Sequence, residues 1–234
     1  MSKRILCVIA ARQGSKGLPK KNIKNFCGIP LLSHTIIQAK ATNIFTKIAF
    51  SSDCREMLEI AKNHNIDYII NRPKELATDS ASSIDVIKHA CLESENNYAS
   101  KFDIIINLQV TSPLRTSKDI IEAYHLYSNS NVNSIISASE SKDSPYFNIV
   151  EKDESGYMIK SKNLEKDIVR RQDVPKCFVL NGAIYIWDRD KFMLSDILPL
   201  EKSGIYLMPK ERSFDIDTKL DFEIAEFIAK KQCS

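Results

Sequence analysis

Residues 5–11 (Ile-Leu-Cys-Val-Ile-Ala-Ala) form a short, unbroken apolar run. The chain leaves it through Arg12-Gln13-Gly14-Ser15-Lys16-Gly17-Leu18-Pro19-Lys20-Lys21-Asn22, rich in glycine and cations. A run this short, with no polar alternation, suits a strand covered on both faces, as in a parallel sheet flanked by helices. In an open α/β sheet, ligands bind beyond the carboxyl ends of the strands. The loop leaves the first strand at that edge.

The rest of the chain keeps the rhythm. A helix is expected over 30–41, with Leu31, Leu32, Ile36, Ile37 and Ala41 roughly at helical spacing and Pro30 near its start. Strands follow at 47–51, 68–70, 103–108 and 133–138, and helices at 55–63, 82–94 and 118–128. Alternation of this kind implies a doubly wound, mostly parallel α/β sheet, here a single domain over 1–234. The rhythm breaks after Ser139. Residues 141–176 are polar and mixed, with Asp153-Glu154-Ser155-Gly156 as a turn between two strand-like pieces, and read as an inserted hairpin. Residues 179–187 return to strand, interrupted at Asn181-Gly182. A last helix spans 218–231, with Leu220, Phe222, Ile224, Ala225, Phe227 and Ile228 as its apolar side.

Composition excludes several classes. A net charge of +3 without a basic tail argues against a general nucleic-acid binder. No apolar stretch is long enough to span a membrane. The six cysteines form no CxxC pair, so a zinc site is not expected; they read as reduced thiols in a cytoplasmic protein. The four histidines have no ligand spacing.

In the loop, Gly14 and Gly17 let the backbone approach a ligand and aim N–H groups at it, while Arg12, Lys16 and Lys21 supply cations. One cation about 4 Å from a phosphate oxygen is worth roughly 4 kcal/mol before desolvation, at an effective dielectric near 20. Several such contacts would fix a nucleoside triphosphate. The spacing is neither GxxxxGK[ST] nor GxGxxG, and a solvated surface loop is the alternative. Asp215-Ile216-Asp217 precedes the last helix. In an extended segment residues i and i+2 point the same way, so Asp215 and Asp217 share a face. Mg²⁺ held by one or two carboxylates plus substrate phosphates would satisfy the pair; helix capping by Asp217 is the alternative. The hydroxyl cluster at 77–83, including Ser82, and Gln109 at a strand end suit ribose or base contacts, or simply a cap and a turn. An arginine at 170–171 would grip a carboxylate through paired hydrogen bonds, or be a surface residue.

Taken in order, these segments resemble the acylneuraminate cytidylyltransferases, the CMP-sialic acid synthetases. The shared pieces are the loop 11–22, Arg72-Pro73, Leu76-Ala77, Ser82-Ser83, Leu108-Gln109 with Thr111-Ser112-Pro113-Leu114-Arg115, Arg171-Gln172 with Pro175, Asn181-Gly182-Ala183-Ile184-Tyr185, and Asp215-Ile216-Asp217. The resemblance implies a Rossmann-like nucleotidyltransferase that joins CMP from CTP to a nine-carbon 2-keto sugar acid and releases pyrophosphate with Mg²⁺. It also implies a homodimer in which 141–176 reaches over the partner. Carried over, Arg12, Lys16, Lys21 and Asp217 are catalytic. Ala11, Arg12, Gly14, Ser15, Lys21, Asn22, Arg72, Ser82 and Gln109 meet the nucleotide. Gln109, Arg171, Asn181 and Tyr185 meet the sugar, and Asp215 and Asp217 the metal. A synthetase for pseudaminate or for the eight-carbon acid Kdo, or an inactive nucleotide-binding regulator, are the other readings.

Three positions depart from the family. Val110 stands where a proline is frequent. Ser144-Pro145-Tyr146-Phe147 holds no cation where relatives that use N-acetylneuraminate carry a lysine near position 147, and Val179 stands where they carry an arginine. Both lost cations are on the sugar side. A less polar pocket would suit a deoxy, diacylated acid such as legionaminic acid.

Overall fold

The computed structural model describes residues 3–14, 17–164, 170 and 173–232. In chain order the strands are β1 (Ile5–Ala10), β2 (Asn25–Phe26), β3 (Ile29–Pro30), β4 (Lys47–Ser52), β5 (Tyr68–Asn71), β6 (Ile104–Leu108), β7 (Ser134–Glu140), β8 (Val150–Lys152), β9 (Met158–Lys160), β10 (Phe178–Asp188) and β11 (Ser203–Leu207). The helices are α1 (Leu31–Thr42), α2 (Arg55–Asn63), α3 (Ser83–Tyr98), α4 (Ser117–Ser128), α5 (Arg189–Met193) and α6 (Lys219–Gln232).

Seven strands form one sheet in the order β11-β7-β10-β6-β1-β4-β5. Neighbours run parallel except β10, which is antiparallel to both β6 and β7. This is the expected doubly wound, mostly parallel architecture. The apolar run of β1 shows why. Ile5, Cys7 and Ile9 face one way and pack with Leu31 and Ile36 of α1, Met57 of α2, Ile120 of α4 and Phe222 of α6. Leu6 and Val8 face the other way, onto Ile84 and Ile87 of α3 and Phe192 of α5. Fully burying each aliphatic side chain contributes about 1.5–3 kcal/mol, so neither face tolerates a polar residue.

Periodicity misplaces or misses four features. The β2–β3 hairpin is too short to show a period; its two-residue turn holds Cys27 at φ 49° and Gly28 at φ 96°, the left-handed pair such turns require. Helix α5 is a single turn capped by Asp188, whose carboxylate accepts from the Lys191 amide at 3.1 Å. Helix α3 runs on to Tyr98 instead of stopping at 94. Glu95 is held there by Arg189 at 3.0 and 2.7 Å, and Tyr98 stacks on Phe102. In α6 the apolar side is narrower than expected: Phe222 and Ala225 are buried, but Leu220 and Phe227 are exposed.

The irregular region contains the β8–β9 hairpin, a separate two-stranded sheet. Its turn is tied by Asp153 Oδ1, which accepts from the amides of Ser155 (2.9 Å) and Tyr157 (2.8 Å). Strand β10 carries the interruption read at Asn181-Gly182: its register with β7 shifts between Leu180 and Tyr185. Gly182 takes φ 69° there.

Candidate active site

A cleft of about 550 Å³ opens beyond the carboxyl ends of β1, β5 and β6. Ala11, Arg12, Gly14, Gly17, Lys21 and Asn22 from the loop line one side, and Asp217 and Thr218 close it from the far end of the chain. Gly17 is packed so tightly there that an added Cβ would lie 2.3 Å from the backbone oxygen of Asp217. Lys21 is buried; its Nζ donates to the Ile216 carbonyl and to Asp217 Oδ1, the latter at 3.1 Å. The loop and the carboxylate segment are thus docked on each other. Asn22 is also buried: its Nδ2 donates to the Arg12 carbonyl at 3.1 Å, and among the described residues its Oδ1 has no partner.

Across the cleft mouth, Arg12 Nη1 reaches the Thr78 carbonyl (3.0 Å) and Asp79 Oδ1 (2.8 Å). An ion pair this exposed is worth about 0–1 kcal/mol, so a phosphate would draw Arg12 away at little cost. Arg72, just past β5, is buried against the wall. Its Nη2 donates to the carbonyls of Ala11 (3.2 Å) and Ser51 (2.9 Å). Burial lowers its pKa, opposed by the nearby Asp53 carboxylate. The hydroxyl cluster divides. Thr78 and Ser83 line the cleft. Ser82 does not: its Oγ is spent capping α3, accepting from the Ile84 amide at 3.1 Å.

The floor is Asn107 and Gln109. Asn107, which sequence reasoning passed over, donates from Nδ2 to the Val8 carbonyl at 3.0 Å. Its one signal was a polar residue inside an otherwise apolar strand, Ile-Ile-Ile-Asn-Leu. Beside Gln109 the structure places Gly182 and Asp215: a Cβ on Gly182 would fall 2.8 Å from Gln109 Oε1 and 3.7 Å from Asp215 Oδ2. Tyr185 is half-buried nearby and stacks on Trp187; burial, reinforced by Asp215, pushes its phenol upward. Asn181 is turned inward instead. Its Oδ1 accepts from Ser137 (2.6 Å) and the Ala183 amide (3.2 Å), and its Nδ2 donates to Ser213 (2.9 Å). These bonds build the bulge of β10 and leave the side chain outside the cleft lining. Ser15, Lys16 and Arg171 lie outside the described residues.

Asp215 and Asp217 follow one another on one extended segment, with Ile216 buried between them. Asp215 keeps accessible surface, yet the protein crowding it desolvates the carboxylate and raises its pKa. A hydrogen bond from Thr111 opposes the shift, and Asp217 adds to it. Such a pair welcomes a cation. Among the described residues no three His, Cys, Asp or Glu side chains form a ready-made metal cage. The donors present therefore suit an ion that takes one or two carboxylates and completes its shell with phosphate oxygens and water, as Mg²⁺ does.

A loop of glycines and cations docked on an aspartate pair, at the carboxyl edge of a doubly wound sheet, defines an α/β nucleotidyltransferase. The chain belongs to the cytidylyltransferase family, whose profile matches residues 6–233. It is 37% identical over 228 residues to the post-translational flagellin modification protein B of Campylobacter coli, covering 97% of this chain and 96% of that one. It is 35% identical over 224 residues to the CMP-N,N'-diacetyllegionaminic acid synthase of Campylobacter jejuni, covering 96% of this chain and 94% of that one. Among solved structures, a CMP:2-keto-3-deoxy-manno-octonic acid synthetase complexed with CTP superposes with a TM-score of 0.67 at 18% identity, covering 98% of this chain and 99% of that one. At that identity the likeness is one of fold.

Proposed function

We propose that the protein transfers CMP from CTP to the anomeric hydroxyl of a nine-carbon 2-keto sugar acid. The hydroxyl oxygen forms a bond to the α-phosphorus, the bond to the bridging oxygen of pyrophosphate breaks, and the hydroxyl proton is lost. The observation that carries this reading is the docking of the loop on Asp217, with Lys21 Nζ 3.1 Å from Asp217 Oδ1. In our reading the cations of the loop and the Asp217 carboxylate act on the same phosphates, the carboxylate through a metal ion. Nucleotidyl transfer of this kind needs positioning and charge neutralisation more than covalent help.

In this assignment Arg12, Lys16 and Lys21 hold the triphosphate, helped by Ala11, Gly14, Ser15 and Asn22. Arg72 and the Thr78–Ser83 stretch flank the nucleoside, with Ser82 contributing through its cap of α3. Gln109 stands between nucleotide and sugar. Arg171 and Tyr185 meet the sugar acid, and Asn181 shapes that side from within. Asp215 and Asp217 would hold Mg²⁺, which when bound supplies positive charge to the phosphate oxygens.

The acid we assign is of the legionaminate type. Its extra acyl group and missing hydroxyl match the apolar Phe147 and Val179 on the sugar side, and the likeness to a CMP-N,N'-diacetyllegionaminic acid synthase supports it. We also assign a homodimer. Val150, Met158 and Ile159 of the hairpin and Leu180 of β10 leave apolar surface exposed (Met158 at 76%), which a second copy would cover. We place the protein in the cytoplasm, where cysteines spread along the chain without CxxC pairs stay reduced.

Pyrophosphate release with CTP and a panel of acids (N,N'-diacetyllegionaminate, N-acetylneuraminate, pseudaminate and Kdo) tests the assignment. The highest kcat/KM is expected with N,N'-diacetyllegionaminate. A strong preference for N-acetylneuraminate would overturn the choice of sugar, and no turnover with any acid would overturn the reaction.

A further inference from the structure

Arg115, two residues before α4, is 1% exposed and stands behind the cleft. Its Nη1 donates to the carbonyls of Gln109 (3.2 Å) and Ala183 (2.6 Å). Its Nη2 donates to Thr35 Oγ1 (3.1 Å) and Gln38 Oε1 (2.9 Å) of α1. Among the described residues Nε has no partner, and no carboxylate lies within ion-pair distance. Asp119, whose field reaches it, is bonded to Arg212 at 3.0 and 2.8 Å. Burial pushes the guanidinium down to about 10. A buried cation without a counter-charge costs stability, and an apolar residue would serve a purely structural site better.

What the guanidinium supplies is geometry. The antiparallel ladder between β6 and β10 ends at the pair Leu108–Ile184. The next two residues across that seam are Gln109 and Ala183, and Arg115 Nη1 bonds to both of their carbonyls. Beyond the last ladder pair, Nη1 does what the ladder no longer can, while Nη2 anchors the guanidinium to α1. It sets how far the strands splay. Just past it, Gly182 offers no Cβ, and Gln109 Oε1 occupies the space, 2.8 Å from where that atom would be.

We infer that Arg115 is a positioning residue whose guanidinium fixes the spacing between the Gln109 turn and the Gly182–Ala183 bulge, and so governs binding of the sugar-acid acceptor more than of CTP. This rests on the proposal above that the acceptor lies along that seam. CTP touches Gln109 on one side only and is anchored mainly by the loop and Arg72. Lysine keeps the charge but lacks the second nitrogen that ties the bridge to Thr35 and Gln38 of α1, so Arg115→Lys is not conservative here.

Steady-state kinetics with CTP and N,N'-diacetyllegionaminate, together with thermal unfolding, test it. Arg115→Lys should raise the acceptor KM by about tenfold or more and change the CTP KM by less than about threefold. Gly182→Ala, whose Cβ would displace the Gln109 amide with Arg115 intact, should give the same split. In Arg115→Ala, added methylguanidinium should restore the acceptor KM. A folded Arg115→Lys with a lower Tm and both KM values unchanged would overturn the inference, as would an equal rise in both. Should Arg115→Lys fail to fold, Gln38→Ala, which removes the 2.9 Å anchor of Nη2 on α1, decides: an unchanged acceptor KM there refutes it. Wild-type protein that binds CTP yet turns over no acid would instead sink the functional reading, and this one with it, without any variant being needed.

Discussion

An alanine at position 17 would place its Cβ 2.3 Å from the carbonyl oxygen of Asp217 and 3.2 Å from the carbonyl carbon. Carbon–oxygen contacts of this kind close at about 3.3 Å, so the loop and the Asp217 segment must separate by roughly 1 Å. No side-chain rotation relieves the clash, because the methyl carbon and the oxygen are both fixed to backbone. The separation stretches the 3.1 Å bond between Lys21 Nζ and Asp217 Oδ1 and shifts cation and carboxylate relative to one another. A misplacement of about 1 Å in a site that works by positioning costs on the order of a hundredfold in rate, or about 2.7 kcal/mol of barrier. Overpacking costs about 1–3 kcal/mol of stability, or roughly 2–12 °C in Tm for a chain of this size, which leaves the enzyme folded at assay temperature. Pyrophosphate release at saturating CTP and acceptor, with circular dichroism to follow unfolding, measures both. A Gly17→Ala enzyme whose kcat stays within about threefold of wild type would show that the docking contributes nothing to turnover.

Four other outcomes are expected. Asp217→Asn should lower kcat by at least about a hundredfold, and chelation of divalent ions should abolish turnover; near-normal rates after either would remove the metal role. Burial raises the Asp215 pKa in the folded state, so its charge costs stability above that value, and the cost fades as pH falls toward about 3.9, where the unfolded chain also binds the proton. In chelator, Asp215→Asn should therefore raise Tm near neutral pH and lose the advantage on acidification; no gain at neutral pH contradicts the desolvation. Arg212→Ala strands the buried Asp119, which Arg212 holds at 3.0 and 2.8 Å, and should cost about 3 kcal/mol, read as a Tm fall of roughly 6–12 °C. Arg171→Ala should raise the sugar-acid KM more than the CTP KM, and an equal effect on both would take it out of the sugar site.

The Asp119 cluster shows how the active segment is held. Burial alone would raise the Asp119 carboxyl, but bonds from Arg212 and Thr116 hold it below its usual range. Tyr206 of β11 adds a bond at 3.1 Å. Arg212 lies three residues before Asp215, and Ser213 is gripped by Asn181. The chain around the start of α4 therefore secures the β6–β10 seam through Arg115 and the segment leading to Asp215 through Asp119.

Much of this was legible in the sequence because it is local. The unbroken apolar run of β1 announced burial on both faces, and the structure places a helical layer on each. The Asn181-Gly182 pair marked a break in a strand, and the register of β10 shifts there. The glycines and lysines of 12–22 marked a loop able to approach phosphate, and the loop lines the cleft. Each signal is a residue type at a short spacing, which is what strand and helix periods record. Features a turn or two long, such as β2–β3 and α5, left no period to read.

Tertiary structure alone decided what meets what. Lys21 and Asp217 stand 196 positions apart and touch, a pairing that no spacing encodes. Asn181 belonged to a sugar-side motif, yet its amide is turned inward to build a bulge. Arg115 sat unremarked inside a shared turn motif, although it spans two strands and a helix from behind the cleft. Sequence periodicity reports how a segment sits against its own neighbours. Which distant segment completes a charge, a hydrogen bond or a seam depends on strand order and register, and those exist only once the sheet has closed around its two layers of helices.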